Sequence, residues 1–273
     1  MAKIFTIFTL LIITSCAGIT TLKKVDRNKL YGQDFLESVS KVNTLIDQKK
    51  LKEAEIELRK MDESSLTENE TSLKRYLLGR FYLSEADIEK AIFNFELALS
   101  GSGEDVILAS QSFLGLAIGY FKIGIYDRAL NNLTKLNNDH LGASEKLNSF
   151  SIGYQISKAY QNQDLYEQSL IGLVSMLGEN NFASDPYYEE LFGLLIAKAL
   201  DDQKILALNF VSQGNNILIN LALSMTENLI YSGRSEDALE VLDNVSIERI
   251  SYLFKKRISE LRLKLLDDKK VES

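Results

Sequence analysis

The chain has 273 residues, of which 45% are hydrophobic and 25% are charged, and these proportions exclude an intrinsically disordered protein. Its formal net charge is -7, and no Lys/Arg-rich block with interleaved aromatic residues precedes the C-terminal region, which argues against a nucleic-acid-binding protein. The sequence has one proline and no tryptophan, and it lacks the period-two runs of β-branched residues that form strands. We therefore predict an all-α fold.

The N-terminus has the order of segments that is typical of a secretory signal. Lys3 is followed by an apolar run over residues 4–13 and then by the small residues Thr14 and Ser15. The apolar run is shorter than the roughly 20 residues that a membrane-spanning helix needs. We therefore predict a cleaved signal peptide over residues 1–15.

The residues around the predicted cleavage point indicate a lipid anchor. The tetrad Ile13-Thr14-Ser15-Cys16 resembles the lipobox of bacterial lipoproteins, which implies cleavage before Cys16 and acylation of this residue with palmitate-type chains. Three acyl chains, at about 0.8 kcal/mol for each buried CH₂ group, give a stable membrane anchor. Ala17 stands where an aspartate directs retention in the inner membrane of enterobacteria, so the resemblance implies the outer membrane, facing the periplasm. The alternative is an ordinary signal peptide in which Cys16 is incidental.

The segment after the anchor is predicted to be a tether. Residues 16–33 are polar and lack a helical pattern, which is typical of a flexible link between lipid and fold. Helices are expected to begin near Asp34, and the turn over residues 47–50 separates the first helix pair. Thr67, with Glu70 three positions later, predicts a capping box at the start of the next helix.

A repeated pattern of small and aromatic residues follows. It consists of Leu78-Gly79-x-x-Tyr82, Ala91, Phe95 and Ala98, then Leu116, Ala117, Tyr120, Gly124, Tyr126 and Ala129, and more loosely Ile156, Tyr160, Tyr166 and Ser169. This order and spacing resembles the tetratricopeptide repeat (TPR), a helix-turn-helix unit of about 34 residues. The resemblance implies a right-handed helical solenoid that binds other proteins. Small residues are expected where helices cross, and aromatic residues are expected between layers.

The second half of the chain continues the predicted array. Asp185 and Pro186 indicate a helix start, because a proline in the first turn loses no hydrogen bond. Gly124 and Gly233 are predicted to end first helices in a left-handed conformation. Together the patterns predict a TPR-like solenoid of about six units over residues 34–246. A capping helix from about Ile247 to Asp268 follows, within a C-terminal segment of residues 247–273.

Residues that carry catalytic or metal-binding chemistry are sparse. His140 lies in a predicted loop, with no second histidine to complete a metal site. The adjacent pairs Glu189-Glu190 and Asp201-Asp202 point about 100° apart on a helix, so we expect solvated faces rather than acid/base pairs. No phosphate-binding glycine loop, nucleophile elbow or zinc-protease motif is present in the sequence. We therefore predict no enzymatic activity, no cofactor and no metal.

The TPR resemblance assigns a partner-binding groove. In that family the first helix of each pair lines a concave groove through its second, fifth, ninth and twelfth positions. These positions are occupied here by Leu73, Tyr76, Arg80, Leu83, Gln111, Leu114, Ile118, Phe121, Ser151, Tyr154, Lys158 and Gln161. An apolar lining with two cations is suited to an extended or helical peptide with apolar anchors. The alternative is that the protein's own tether or terminal helix covers these side chains.

Near the C-terminus, Lys255, Lys256 and Arg257, with Arg262 and Lys264, form a basic cluster. This cluster is predicted to contact lipid headgroups or an acidic partner, or to be only the solvated face of the capping helix.

Two functions are compatible with these features. The first is a lipid-anchored periplasmic adaptor that recruits envelope proteins, as similar repeat lipoproteins do in outer-membrane-protein assembly, pilus secretin assembly and penicillin-binding-protein activation. The sequence leaves the choice among those three pathways open. The second is an accessory lipoprotein that binds a glycan or small ligand, such as peptidoglycan, in the concavity, with Tyr76 and Tyr154 as stacking surfaces.

Overall fold

The computed structural model describes residues 27–178 and 182–271. Within these ranges every regular element is an α-helix or a short 3-10 turn, and no strand is present, so the all-α prediction is confirmed there. The contacts divide the chain into two compact units, the first ending at Gly115 and the second beginning at Leu116. This division falls inside the single array predicted for residues 34–246. The predicted signal peptide and Cys16 lie outside the described residues.

The first unit is built from helices that pack in sequence. They are α1 (Arg27–Leu30), α2 (Gln33–Asp47), α3 (Leu51–Lys60), α4 (Glu68–Ser84), α5 (Ile88–Ser100) and the N-terminal part of α6 (Val106–Lys122). Helix α2 packs against α3, α4 packs against α5, and α4 also contacts α2 and α3. The predicted capping box is confirmed at the start of α4, where the Thr67 N–H donates to Glu70 and the Glu70 N–H donates to Thr67.

The N-terminal residues of the described chain are part of this unit. Arg27 and Tyr31, which the sequence assigned to the flexible tether, both bind the buried carboxylate of Asp105. The Gly32 N–H donates to Glu70 at 3.1 Å. Burial opposes ionisation of Glu70, but the N–H groups of Thr67 and Gly32 hold its pKa below the usual value. The folded part of the chain therefore starts before Asp34, because long-range polar contacts hold residues that have no apolar pattern.

Helices α4, α5 and α6 meet around one buried phenyl ring. Phe95 is 1% exposed, and it occupies the place where Gly79 of α4 and Gly115 of α6 leave room. A Cβ atom built on either glycine would lie 2.6 Å from the ring carbons of Phe95. The predicted role of Gly79 as a crossing residue and of Phe95 as a filler between helices is therefore confirmed.

The second unit contains the remaining helices. They are the C-terminal part of α6, α7 (Tyr126–Lys135), α8 (Ala143–Tyr160), α9 (Gln163–Ser175), α10 (Pro186–Ile196), α11 (Leu200–Gln213), α12 (Asn216–Tyr231), α13 (Ser235–Asp243) and α14 (Tyr252–Val271). Helix α8 packs against α9, α11 packs against α12, and α12 packs against α13. Helix α12 is the most buried of them, with its apolar side chains in contact with α9, α10 and α14.

Local signals in the sequence set several helix ends of this unit. The Asp185 side chain accepts a hydrogen bond from the Tyr187 N–H at 2.9 Å, with Pro186 in the first turn of α10, as predicted. Gly124 and Gly233 have φ values of 77° and 74°, which confirms the predicted left-handed turns after α6 and α12.

The C-terminal helix begins later than the sequence indicated. Residues Ile247–Arg249 form a separate 3-10 turn, Ile250 is extended, and α14 starts at Tyr252. One face of α14 packs on α12 and α13 through Phe254, Ile258, Leu261 and Leu265. None of the helices in the described ranges has the length and the hydropathy to cross a membrane.

Candidate functional site

A cluster of tyrosines lies where α8, α9 and α10 of the second unit meet. Helix α8 contributes Tyr154 and Lys158, α9 contributes Tyr166, and α10 contributes Tyr187 and Glu190. We call these five residues the tyrosine cluster. The spacing places Tyr154 and Lys158 one turn apart on α8, and Tyr187 and Glu190 one turn apart on α10. The cap at Asp185 fixes the start of α10 and so the position of Tyr187.

The rings of the cluster contact one another. Tyr154 stacks on Tyr166 with centroids 5.6 Å apart and meets Tyr187 edge-on at 5.3 Å. The Lys158 ammonium lies 4.3 Å from the centroid of the Tyr154 ring, within the range of a cation–π interaction. The three rings are partly exposed, so the cluster presents an aromatic surface to solvent.

A carboxylate at the base of the cluster fixes the polar ends of these side chains. Glu190 accepts a hydrogen bond from the Tyr154 hydroxyl at 2.7 Å and another from the Tyr166 hydroxyl, and it forms an ion pair with Lys158 at 3.2 Å. Glu190, expected from the sequence to be solvated, is therefore partly buried and bound, whereas its neighbour Glu189 is exposed.

These contacts determine the protonation states of the cluster. Burial raises the pKa of Glu190, but the hydrogen bonds from Tyr166, Tyr154 and Lys158 outweigh it and lower the pKa overall. Burial and then Glu190 raise the pKa of Tyr166 to about 12, and the pKa of Tyr154 is raised as well. The hydrogen bond to Tyr154 raises the pKa of Lys158. At neutral pH both phenols are therefore protonated, Glu190 is ionised and Lys158 is charged.

A polar row continues from this cluster across the neighbouring helices. The Asn220 amide of α12 donates to the Tyr188 hydroxyl of α10 at 2.7 Å, and its oxygen accepts from Arg257 of α14 at 2.7 Å. Arg257 also donates to Glu227, which in turn accepts from Lys264 at 3.1 Å. Two cations of the predicted basic cluster, Arg257 and Lys264, are therefore bound to side chains of α12.

A second aromatic group lies where α6, α7 and α8 meet. Phe121 packs on Tyr126 at 5.6 Å, and Tyr126 meets Tyr160 edge-on at 6.1 Å. Phe121 and Tyr126 are partly exposed and Tyr160 is exposed, so the predicted groove residue Phe121 belongs to an accessible aromatic surface.

The groove residues predicted for the first unit lie in several environments. Leu73, Tyr76 and Leu114 are buried, which means that they pack in the interior rather than line an open surface. Arg80 is partly exposed and is paired with Asn43 and with Asp47 of α2, the latter at 2.6 Å. The remaining predicted positions are Leu83 and Gln111 here and Ile118, Ser151 and Gln161 in the second unit; Gln161 is exposed and the others are partly exposed.

Three members of the tyrosine cluster, Tyr166, Tyr187 and Glu190, were not among the predicted site residues. A partial signal for two of them was present in the sequence, because Asp185 and Pro186 mark the start of α10 and so place Tyr187 and Glu190 one turn apart near its N-terminus. Tyr166 lies on α9, to which the groove rule was not applied.

The other polar groups that the sequence singled out lie outside the tyrosine cluster. His140 lies in the 3-10 turn Asn138–His140. Asp201 binds Arg234 at 2.8 Å, and Asp202 is exposed. No group of three or more His, Cys, Asp or Glu residues with metal-binding geometry occurs in residues 27–178 and 182–271.

The arrangement combines partly exposed aromatic rings, one cation held against them, and a carboxylate that contacts Tyr154, Tyr166 and Lys158. Comparison of the whole chain with protein-family models, with curated proteins and with solved structures finds no match.

Proposed function

We propose that the protein is a lipid-anchored scaffold of the bacterial cell envelope. It binds a protein partner through the tyrosine cluster of its second unit. The observation that carries this proposal is the tyrosine cluster, in which the predicted groove residues Tyr154 and Lys158 of α8 meet Tyr187 and Glu190 of α10. The anchor is Cys16, and the outer membrane is its proposed location. Outer-membrane-protein assembly, pilus secretin assembly and peptidoglycan-synthase activation remain the candidate pathways.

The chemistry of the cluster suits a peptide ligand. Tyrosine offers a large apolar surface with two rotatable side-chain angles, and it is enriched at positions that dominate binding energy. The stack of Tyr154 on Tyr166 and the Lys158 to Glu190 ion pair hold these side chains in place before a ligand arrives. Preorganisation of this kind reduces the entropic cost of binding. A peptide with apolar or aromatic anchors and an acidic group near Lys158 is the expected partner.

Photo-crosslinking in cells tests this proposal. A photoreactive amino acid at Tyr187 is expected to give an adduct with one envelope protein, and the same amino acid at Phe121 is expected to give an adduct with that protein too. A probe at Ile205 is the matched control, because Ile205 is 60% exposed but lies on α11, away from the cluster.

Reversal of the charge at Lys158 then tests the role of its ammonium group in binding the partner. Lys158→Glu is expected to lower the yield of the Tyr187 adduct about tenfold, because a second carboxylate beside Glu190 repels an acidic peptide. Adducts at Ile205 alone would show that the partner binds elsewhere, and the same yield of the Tyr187 adduct with and without Lys158→Glu would exclude an acidic contact at Lys158.

The glycan-binding alternative depends on the same cluster. Tyr76 is buried and offers no stacking face, so of the two predicted stacking residues Tyr154 is the one whose ring is partly exposed. Binding of purified peptidoglycan fragments that is lost in Tyr154→Ala would favour this function over the protein scaffold.

The lipid anchor is tested separately from the partner. Cells given an alkyne analogue of palmitate are expected to label the wild-type chain and not Cys16→Ser, because the chain has no other cysteine. Fractionation should move the Cys16→Ser chain out of the membrane fraction. Equal labelling of both chains would exclude Cys16 as the site of acylation.

A further inference from the structure

The outer face of α14 carries exposed apolar side chains. Leu253 is 70% exposed and Leu263 is 61% exposed, on the side of the helix opposite its buried residues. Leu253, Lys256, Glu260 and Leu263 follow one another at alternating intervals of three and four residues, so they share one stripe of the helix. We call these four residues the α14 seam. The last helix of a stack is expected to have a polar outer face, and the seam departs from that expectation.

The seam borders a shallow pocket between α12 and α14. The pocket has a volume of about 370 Å³, and its walls include Leu253, Lys256 and Glu260 from the seam and Asn220 and Glu227 from α12. The surface around the seam is therefore concave on one side, which gives a second helix a place to lie along α14.

The order of residues in the seam is self-complementary. When two α14 helices are placed antiparallel about a two-fold axis at the level of Ile258, Leu253 of each lies opposite Leu263 of the other. The same placement puts Lys256 of each opposite Glu260 of the other. Every contact then occurs twice, as in any interface between identical surfaces. The spacing also matches the a and d positions of an antiparallel helix pair.

We propose that the α14 seam is a dimerisation surface, on which the antiparallel α14 helix of a second copy of this chain packs. The two opposite charges in the middle of the seam, on Lys256 and Glu260, favour a second copy of the chain over an anionic lipid surface. Glu260 is 58% exposed and lies only 3.8 Å from Lys256, so an anionic membrane would meet a carboxylate at the centre of its contact. A second copy satisfies both charges.

The oligomeric state of the purified protein provides the first test. The chain from residue 17 retains every described residue, and sedimentation at about 1 to 100 µM is expected to show a monomer–dimer equilibrium. Lys256→Glu places two pairs of carboxylates in opposition and is expected to raise the dissociation constant about tenfold or more. The exchanged variant Lys256→Glu/Glu260→Lys restores opposite charges and is expected to restore the dimer.

Several outcomes would overturn the proposal. A monomer at 100 µM, or an exchanged variant that stays as weak as Lys256→Glu, excludes this pairing. Both substitutions change exposed side chains, so unchanged melting temperatures are the control for folding. Flotation with phosphatidylglycerol vesicles that depends on Lys256, without any dimer, would assign the face to a membrane instead.

Disulfide trapping tests the antiparallel register. The chain from residue 17 contains no cysteine, so introduced thiols are the only ones present. A mixture of Leu253→Cys and Leu263→Cys chains is expected to form a crosslinked dimer, whereas Leu253→Cys alone is not. In the proposed register two Leu253 positions lie about 15 Å apart along the helix axis, at 1.5 Å per residue. Equal crosslinking in the mixture and in the single variant would contradict the register.

Discussion

Replacement of Asp105 by alanine is expected to lower the free energy of unfolding by about 3 kcal/mol. The Asp105 side chain is 0% exposed, and one of its oxygens accepts hydrogen bonds from the Tyr31 hydroxyl at 2.5 Å and from Arg27 at 2.9 Å. The other oxygen accepts from the N–H groups of Ile107 and Leu108, at the first turn of α6. Alanine leaves these donors without a buried partner and removes the cap of the helix.

Urea unfolding at neutral pH measures this loss. Asp243→Ala is the matched control, because Asp243 also pairs with an arginine, Arg262, but is 58% exposed. Surface pairs contribute about 0.2–1 kcal/mol, so the control should change stability far less. Similar losses for Asp105→Ala and Asp243→Ala would show that Arg27 and Tyr31 do not hold the N-terminal segment as described.

The stabilisation by Asp105 is also expected to depend on pH. Burial raises the pKa of this carboxyl, but the contacts with Tyr31, Leu108 and Arg27 outweigh it and lower the pKa below the usual value. A lowered folded-state pKa stabilises the protein above the unfolded-state pKa, and that contribution is lost as the pH falls through the folded value. The stability difference between wild type and Asp105→Asn should therefore narrow below about pH 4. A constant difference from pH 7 to pH 3 would contradict this assignment.

Glycine-to-alanine substitutions ordinarily stabilise helices. The packing around Phe95 predicts that they instead destabilise this protein at Gly79 and Gly115. Glycine to alanine inside a helix usually gains up to about 1 kcal/mol. At Gly79 and at Gly115 the added Cβ atom would lie 2.6 Å from carbon atoms of the Phe95 ring, which is itself only 1% exposed. Overpacking of this kind costs about 1–3 kcal/mol, so the double variant Gly79→Ala/Gly115→Ala should be destabilised by at least that amount.

Gly193 provides a control, because its replacement by alanine is expected to change the free energy of unfolding in the opposite direction. Gly193 lies within α10, it is exposed, and no atom lies within 4 Å of the place its Cβ would take. Gly193→Ala should therefore raise the free energy of unfolding by up to about 1 kcal/mol. Phe95→Leu should also cost less in the Gly115→Ala background than in the wild type, because the smaller side chain relieves the clash. Equal costs in both backgrounds would exclude the proposed clash between ring and helix.

The features that the sequence predicted well depend on residues close together in the chain. Thr67 and Glu70 form their capping box within one turn, and Asp185 and Pro186 start α10 by themselves. Gly79 was predicted to lie where helices cross and Phe95 to fill a gap, but their direct contact across α4 and α5 was not predicted.

The features that were missed depend on distant partners. Tyr31 binds a carboxylate 74 positions away, so nothing near it in the sequence indicates that the segment is folded. Glu190 is enclosed because two other helices supply Tyr154 and Tyr166, and an isolated Glu-Glu pair gives no sign of this. Tyr76 shows a further limit, since a position in a repeat predicts the face of a helix but not the depth of burial.

The contact of Arg27 with Asp105 limits the length of the proposed tether, which runs from Cys16 to Arg27. Arg27 follows Cys16 by eleven positions, and a fully extended chain of that length spans at most about 40 Å. With Cys16 in the bilayer as proposed, Arg27, the first residue that the structure describes, is therefore held within that distance of the headgroups.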